Sequence, residues 1–310
     1  MIITDFSAEN AEQAMRLAQA AYEKERTLVP ALPDMQVPDL RHFAKNNLGV
    51  AAFEGETMLG FLCALGPQKN VYGTTKVKGV WTPMHVHAAV GNNARVYHRM
   101  YQAAAPKWVA AGALNHCVTL YSHDEEVKQA WFTYGFGMRF IDAIKLIDPG
   151  AAVPEGDFFE MPRERAGELR KLHNLLVDHL GGSPCFMNYK QRSKRQTAAT
   201  FAQPDVRIFA ARQAGSLVAY LKIGDHGESF CSRAPDMMNV CGASAVPEVR
   251  GTGLYADLLR YAEAVLAKEG YTRLGVDYES FNPNALYFYP KHFDVYTNSL
   301  VRRIDERGNK

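Results

Sequence analysis

The sequence predicts an α/β fold made of two copies of one module, each a mixed sheet with helices on both faces. Two observations carry this. Ala51-Ala52 and Leu59-Gly60-Phe61 begin eight residues apart, and Ala210-Ala211 and Val218-Ala219-Tyr220 keep that spacing 159 residues later. Asp124 and Trp131 are seven apart, as are Asn282 and Tyr289, 158 residues later. Half of 310 residues is 155, so both offsets mark a duplicated unit. The second observation is the order strand, glycine turn, helix across 238–268. Val240, Ala243, Ala245 and Val246 form an apolar run. Leu254, Leu258, Leu259, Ala262, Val265 and Leu266 then recur at three and four residues, which puts them on one helix face.

The remaining elements follow in order. Residues 2–6 read as a strand, and Ala14, Leu17, Ala18, Ala21 and Tyr22 make a helix stripe between Ala11 and Arg26. Pro30, Pro33 and Pro38 exclude regular structure after it. Leu48–Phe53 and Met58–Leu65 read as a hairpin around Glu54-Gly55-Glu56. Val77–Val90 reads as one long strand, and Arg95–Ala111 as a helix that Pro106 must kink or interrupt. A strand 116–121, a helix 125–134 and a strand 138–147 complete the first domain, 1–150. A linker at 148–154 follows. The second domain, 151–310, repeats the order: a strand 158–161, a helix 165–180, and a hairpin 205–212/217–223 around Ala214-Gly215-Ser216. Then come the strand–turn–helix unit, a strand 272–278, a short helix near 283–290 and a last strand near 294–304.

The turn itself is Val246-Pro247-Glu248-Val249-Arg250-Gly251-Thr252-Gly253-Leu254-Tyr255-Ala256. Backbone N–H groups at a helix start form an anion site. Gly251 and Gly253 permit positive φ and close approach of a phosphate, and Arg250 adds a positive charge at the mouth. This segment resembles motif A of the GNAT superfamily of N-acetyltransferases, Gln/Arg-x-x-Gly-x-Gly/Ala. Arg250 and Gly253 match its first and fourth positions, whereas Tyr255 stands where the sixth is small. Downstream, Asn282-Pro-Asn-Ala285-Leu-Tyr-Phe-Tyr289-Pro-Lys-His292-Phe293 resembles motif B, with Asn282, Ala285 and Tyr289 in place and the glycine before Phe293 missing.

The resemblance implies two tandem GNAT-like domains, each a mixed, mostly antiparallel twisted sheet with helices on both faces. It implies acetyl-CoA as co-substrate, with no metal, and direct transfer of the acetyl group to the amine of a small molecule or peptide. Its pyrophosphate would lie on Arg250, Gly251, Thr252, Gly253, Leu254 and Tyr255. Its pantetheine arm would pair with the main chain of Ala243, Ala245 and Val246, as an added strand does. Asn282 belongs to the same cofactor set. Tyr289 takes the position of the general acid, since a phenol can protonate a departing thiolate while staying neutral at pH 7. No carboxylate lies in 238–246, so Asp277 and Glu279 on the next strand are the candidate bases, with a water chain as the other route. In the first domain Trp131 stands in the tyrosine's place, Gly135-Phe136 close the motif, and Val90–Tyr97 has no Arg-x-x-Gly-x-Gly pattern. That domain is expected to be a degenerate copy without the cofactor.

Two other enzyme-level and binding readings compete. Gly251-x-Gly253-x-x-Ala256 with Asp277 also fits a dinucleotide fingerprint, but only 33 residues follow Asp277, too few for further βα units on that side. A non-catalytic acyl-CoA-binding protein would share the turn and differ only in turnover. His85 and His87 flank Val86, and with His116 or His123 could form a metal site; ordinarily such a pair lines a polar pocket. Lys190, Arg192, Lys194 and Arg195 form a basic run, ordinarily a solvated helix face, alternatively one that meets an acidic substrate or a cofactor phosphate.

A net charge of +2 implies no global attraction to nucleic acid or membrane. Five cysteines, Cys63, Cys117, Cys185, Cys231 and Cys241, are odd in number and lack a Cys-x-x-Cys pair, which argues against a disulfide scaffold. No stretch approaches 18 apolar residues, and the N-terminus lacks the pattern of a secretion signal. The expectation is a cytoplasmic protein.

Overall fold

The computed structural model of the chain describes residues 1–73 and 76–305. It packs as two units, Met1–Asp142 together with the segment from Val295 onward, and Ala143–Asp294. In chain order the elements are β1 (Ile2–Asp5), α1 (Ala11–Leu28), β2 (Val50–Glu54), β3 (Thr57–Leu62), β4 (Leu65–Lys69), β5 (Lys78–Thr82) and β6 (His87–Ala89). There follow α2 (Ala94–Ala110), β7 (Asn115–Tyr121), α3 (Glu125–Thr133), β8 (Gly137–Leu146), β9 (Asp157–Glu160), α4 (Arg170–Gly181) and α5 (Lys194–Phe201). The last are β10 (Val206–Gln213), β11 (Ser216–Gly224), β12 (Met237–Ala245), α6 (Leu254–Lys268), β13 (Arg273–Glu279), α7 (Pro283–Phe288) and β14 (Asp294–Arg303).

In the first unit β1, β2, β3 and β6 pair antiparallel in that order. Alternation along β2 puts helices on both faces. Val50 and Ala52 join a core with Met100, Ala104 and Trp108 of α2, while Ala51 joins one with Ala14 and Ala18 of α1. A second set runs β4, β5, β7, β14, parallel only between β5 and β7. The expected strand 77–90 is therefore two strands. Pro83 starts a turn after β5, and β6 resumes in a different sheet beside β3. Helix α2 is not interrupted: Pro106 lies inside it, and apolar anchors on both sides, Met100 and Trp108, are fully buried.

The second unit orders its strands β13, β12, β11, β10, β9, parallel only between β12 and β13. Ile208 and Ala210 of β10 share a core with Leu172 of α4 and Phe201 of α5. Phe209 takes the opposite face, its ring 6.2 Å from that of Tyr261 on α6. The packing division at 142/143 and 294/295 differs from the expected boundary at the 148–154 linker. The reason is β14, which pairs antiparallel with β7 from Thr297↔Tyr121 to Arg303↔Asn115 and so completes the first unit.

Candidate active site

The site is built where β12 parts from β13. The two strands pair in parallel from Met237↔Arg273 to Val240↔Val276, and the ladder stops there. On its other side β12 skips a register against β11: Lys222 faces Gly242 and Ile223 faces Val240, which leaves Cys241 as a bulge. A bulge bends a strand and sharpens its twist. Beyond Val240 the strand β12 pairs with β11 alone and Asp277–Glu279 no longer pair with it, so the two strands of one sheet part in a wedge. Along it Ala243 and Ala245 stay paired with Leu221 and Ala219 of β11. The Val246 amide is already committed to the Val218 carbonyl at 2.9 Å, and the Ala245 carbonyl accepts from Arg250 Nε at 3.0 Å.

At the end of β12 the chain enters the glycine turn. Gly251 and Gly253 have φ of 76° and 92°, left-handed values that an L side chain resists, and a Cβ at either would meet open space. Gly253, the N-cap of α6, offers no side-chain acceptor, so the first-turn amides beyond Leu254 are available to an anion. Thr252 closes the turn by donating to the Val249 carbonyl at 2.9 Å and accepting weakly from the Leu254 amide at 3.4 Å. Leu258, Leu259, Ala262 and Leu266 anchor the helix below. Arg250 stays exposed, with its Nε on Ala245 tying the turn to the strand.

The wedge walls carry the titratable groups. Tyr289 is buried, and its hydroxyl lies 3.0 Å from that of Tyr255 in the first turn of α6. Lost hydration, the largest cause, pushes the Tyr289 phenol up to about 12; the Tyr255 hydrogen bond acts the other way, and the Asp277 charge adds to the rise. Asp277 stands one residue past the last β12–β13 pair and still reaches solvent. Crowding in the wedge pushes its carboxyl up to about 7, chiefly by desolvation and then by the charges of Glu228 and Glu279. Glu279 is half-buried on the same strand, and its carbonyl accepts from the Asn282 amide at 3.0 Å. Asn282 is buried and does not cap α7; its Oδ1 meets His179 Nε2 of α4 at 2.9 Å.

The family model for acetyltransferases of the GNAT family matches residues 172–294. This part of the chain belongs to that family. The GNAT domain thus contains α4, the bulged β12, the uncapped α6, β13 and Tyr289. No curated protein sequence matches the chain. Among solved structures, a GCN5-related N-acetyltransferase from Sphaerobacter thermophilus superposes with a TM-score of 0.56 at 12% identity, covering 97% of this chain and 95% of that one. At such identity the likeness extends to the fold, over both units. A GNAT-family acetyltransferase from Colwellia psychrerythraea (TM-score 0.49, 11% identity, 98% of this chain and 100% of that one) is also similar. So is a tandem GNAT protein from the clavulanic acid biosynthesis pathway (0.49, 14%, 97% and 98%).

The GNAT turn has its counterpart in the first unit at the start of α2, with one difference. There the Asn93 side chain accepts from the Arg95 amide at 2.9 Å, so the protein's own oxygen occupies the position an anion would take. Trp131 is buried in an aromatic cluster with Tyr97, Tyr101 and Phe136. The histidines of this unit do not converge. His85 lies in the turn before β6. His87 Nδ1 meets the Tyr97 hydroxyl at 3.0 Å and its Nε2 meets the Thr119 carbonyl at 2.8 Å. His116 is held by Tyr101 and the Ala113 carbonyl, and His123 by Glu25.

Sequence reasoning passed over the Tyr255–Tyr289 pair, His179 and the Cys241 bulge. The tyrosine at the sixth position of motif A was the available signal: a large side chain where a small one is usual needs a partner, and Tyr289 is that partner. The bulge has no local signature, because it depends on the register of β11.

Proposed function

We propose that the second unit transfers an acetyl group from acetyl-CoA to an amine, and that the first unit is a cofactor-free companion. The observation that carries this reading is the wedge between β12 and β13, ending at a helix N-terminus that lacks a side-chain cap. An extended amide chain suits the wedge, and a pyrophosphate suits the amides of Gly251–Tyr255 with Arg250 beside them. The acceptor nitrogen attacks the thioester carbonyl and loses a proton to Asp277, directly or through water. The C–S bond then breaks, and Tyr289 donates its phenolic proton to the departing sulfur. Glu279 acts by its charge, which helps keep Asp277 basic near neutral pH. Asn282 fixes α7, and with it Tyr289, through His179. Five free cysteines, and no helix among the described residues long and apolar enough to cross a membrane, are in keeping with a cytoplasmic setting.

Two results test this. Calorimetric titration with acetyl-CoA should give one site per chain, because of the two corresponding turns the one before α6 has no cap from its N-cap side chain whereas Asn93 caps α2; two equivalent sites would refute a cofactor-free first unit. Coenzyme release against an amine library should show turnover, and tight coenzyme binding with none would leave a binding protein instead. Asp277 also predicts a pH profile. Its carboxylate must be ionised to accept a proton, so kcat/KM should fall as pH drops through about 7. Asp277→Asn should remove that limb and lower kcat/KM by about 10- to 100-fold, at or below the usual range for a base because solvent can relay the proton. An unchanged limb in the variant would assign it to the acceptor ammonium.

A further inference from the structure

We infer that the acceptor amine carries an oxyanion, a carboxylate or a phosphate, which is bound between His173, Arg192 and Lys222. This rests on the acetyl-transfer reading of the same site and specifies its second substrate. His173 lies on α4, a helix that packs against β11 and β12. Both its ring nitrogens are buried without a hydrogen-bond partner. A half-buried imidazole whose two nitrogens are both covered and idle is incomplete, since its N–H has given up water for nothing. Its ring stands 5.3 Å from Phe201, edge to face. Lys222 Nζ lies 5.7 Å from the centroid of the same Phe201 ring, and the Tyr220 ring packs 5.6 Å from it.

The surroundings are cationic. The charges that bear on His173 are those of Arg192 and Lys222, and with burial, the larger cause, they push its pKa down to about 4. The imidazole is therefore neutral at pH 7 and offers one N–H. Neither Arg192 nor Lys222 forms an ion pair among the described residues. Arg192 is not placed by chance. Asn174, one residue on from His173, accepts from the Arg192 amide at 2.9 Å and donates to its carbonyl at 3.1 Å. Two cations that form no ion pair, beside a neutral N–H donor without a partner, describe an anion site.

Its place fits a substrate rather than the coenzyme. Lys222 is the residue opposite Gly242 at the bulge, and it acts on both Cys241 and Asp277. Tyr220, two residues along β11 and on the same face, feels Cys241, Arg192 and Tyr289. The cluster therefore borders the proposed base and acid, whereas the pyrophosphate cradle lies beyond the end of β12. An amine whose oxyanion rests here would have its nitrogen directed toward Asp277.

The test uses the full chain with labelled histidine, titrated separately with acetate and with inorganic phosphate and followed by NMR. The His173 signal, identified by its loss in His173→Gln or through its contact with the Phe201 ring, should move with at least one anion. The tighter anion names the class. Lys222→Met and Arg192→Gln should each weaken that binding by about tenfold or more, as expected for a lost charged hydrogen bond. Acceptors found in the amine library should lose about tenfold or more in kcat/KM when the oxyanion is replaced by a neutral amide or hydroxyl. A His173 signal indifferent to both anions, or equal rates for charged and neutral acceptors, would overturn the inference. Calorimetry with acetyl-CoA on the same sample separates the two failures: coenzyme binding with no response to anions sinks this inference alone, and no coenzyme binding sinks the transfer reading.

Discussion

Tyr289→Phe should lower kcat by about 10²- to 10⁴-fold, the range in which general acid catalysis ordinarily lies. The substitution keeps the ring, which packs against Tyr278, Phe288 and Phe293, and removes one hydroxyl whose partner is Tyr255. Coenzyme affinity should change little, because the groups assigned to the coenzyme are main-chain groups of β12 and the glycine turn together with Arg250, and not the Tyr289 hydroxyl. With the phenol pushed up to about 12, it stays protonated through the whole working range. The alkaline limb of the wild-type rate profile should therefore lie above pH 11, outside the usual assay window. Tyr255→Phe gives the graded control: the proton donor remains, but the hydroxyl that steadies the developing phenolate is gone, so the loss should be smaller. Single-turnover rates check both. Tyr289→Phe turning over within about threefold of the parent, with chemistry rate-limiting, would make Tyr289 a packing residue and send the search to ordered water.

Gly253→Glu should raise the acetyl-CoA dissociation constant by about three orders of magnitude. At contact distance near a protein surface, two like charges repel by about 4 kcal/mol, and each 1.4 kcal/mol is tenfold. The side chain would have room, since nothing lies within 4 Å of a Cβ at this position. The change therefore acts on the ligand more than on the core. Its backbone cost comes from φ of 92°, which Gly253→Ala shares without the charge. Comparing the two variants by calorimetry isolates the electrostatic part, and thermal melting of both reads the strain. Glutamate binding coenzyme as tightly as alanine would mean that the pyrophosphate does not sit at α6.

The parts of the fold legible in the sequence are those set by local pattern. The strand–turn–helix unit across 238–268 was visible because the apolar period changes at two glycines, and the structure has β12, the turn and α6 there. The paired hairpins were visible for the same reason. What was not legible depends on partners far along the chain. Residues 77–90 have strand character throughout, yet they serve two sheets, and only the pairing of β6 with β3 and of β5 with β7 reveals the break. Pro106 reads as a helix breaker until the buried side chains that hold α2 together around it are known. The site divides likewise. Glycines and Tyr289 were readable from spacing, whereas the raised Asp277, the committed Val246 amide and the idle His173 arise from tertiary contacts.

The return of β14 to the first unit bears on how the chain is made. Thr119 and Ser299 hydrogen-bond through their hydroxyls at 2.8 Å although 180 residues separate them. On the ribosome, β7 would leave the exit tunnel with one neighbour, β5, and wait for the whole second unit before its other edge could pair. At about 5–20 residues per second that wait lasts on the order of ten seconds or more. Throughout it, a strand whose seven residues are all buried in the finished protein stands as an open edge. The N-terminal unit is thus begun first and finished last, and a nascent chain stopped short of residue 295 should be bound by chaperones as an incomplete sheet, even with the entire GNAT domain already synthesised.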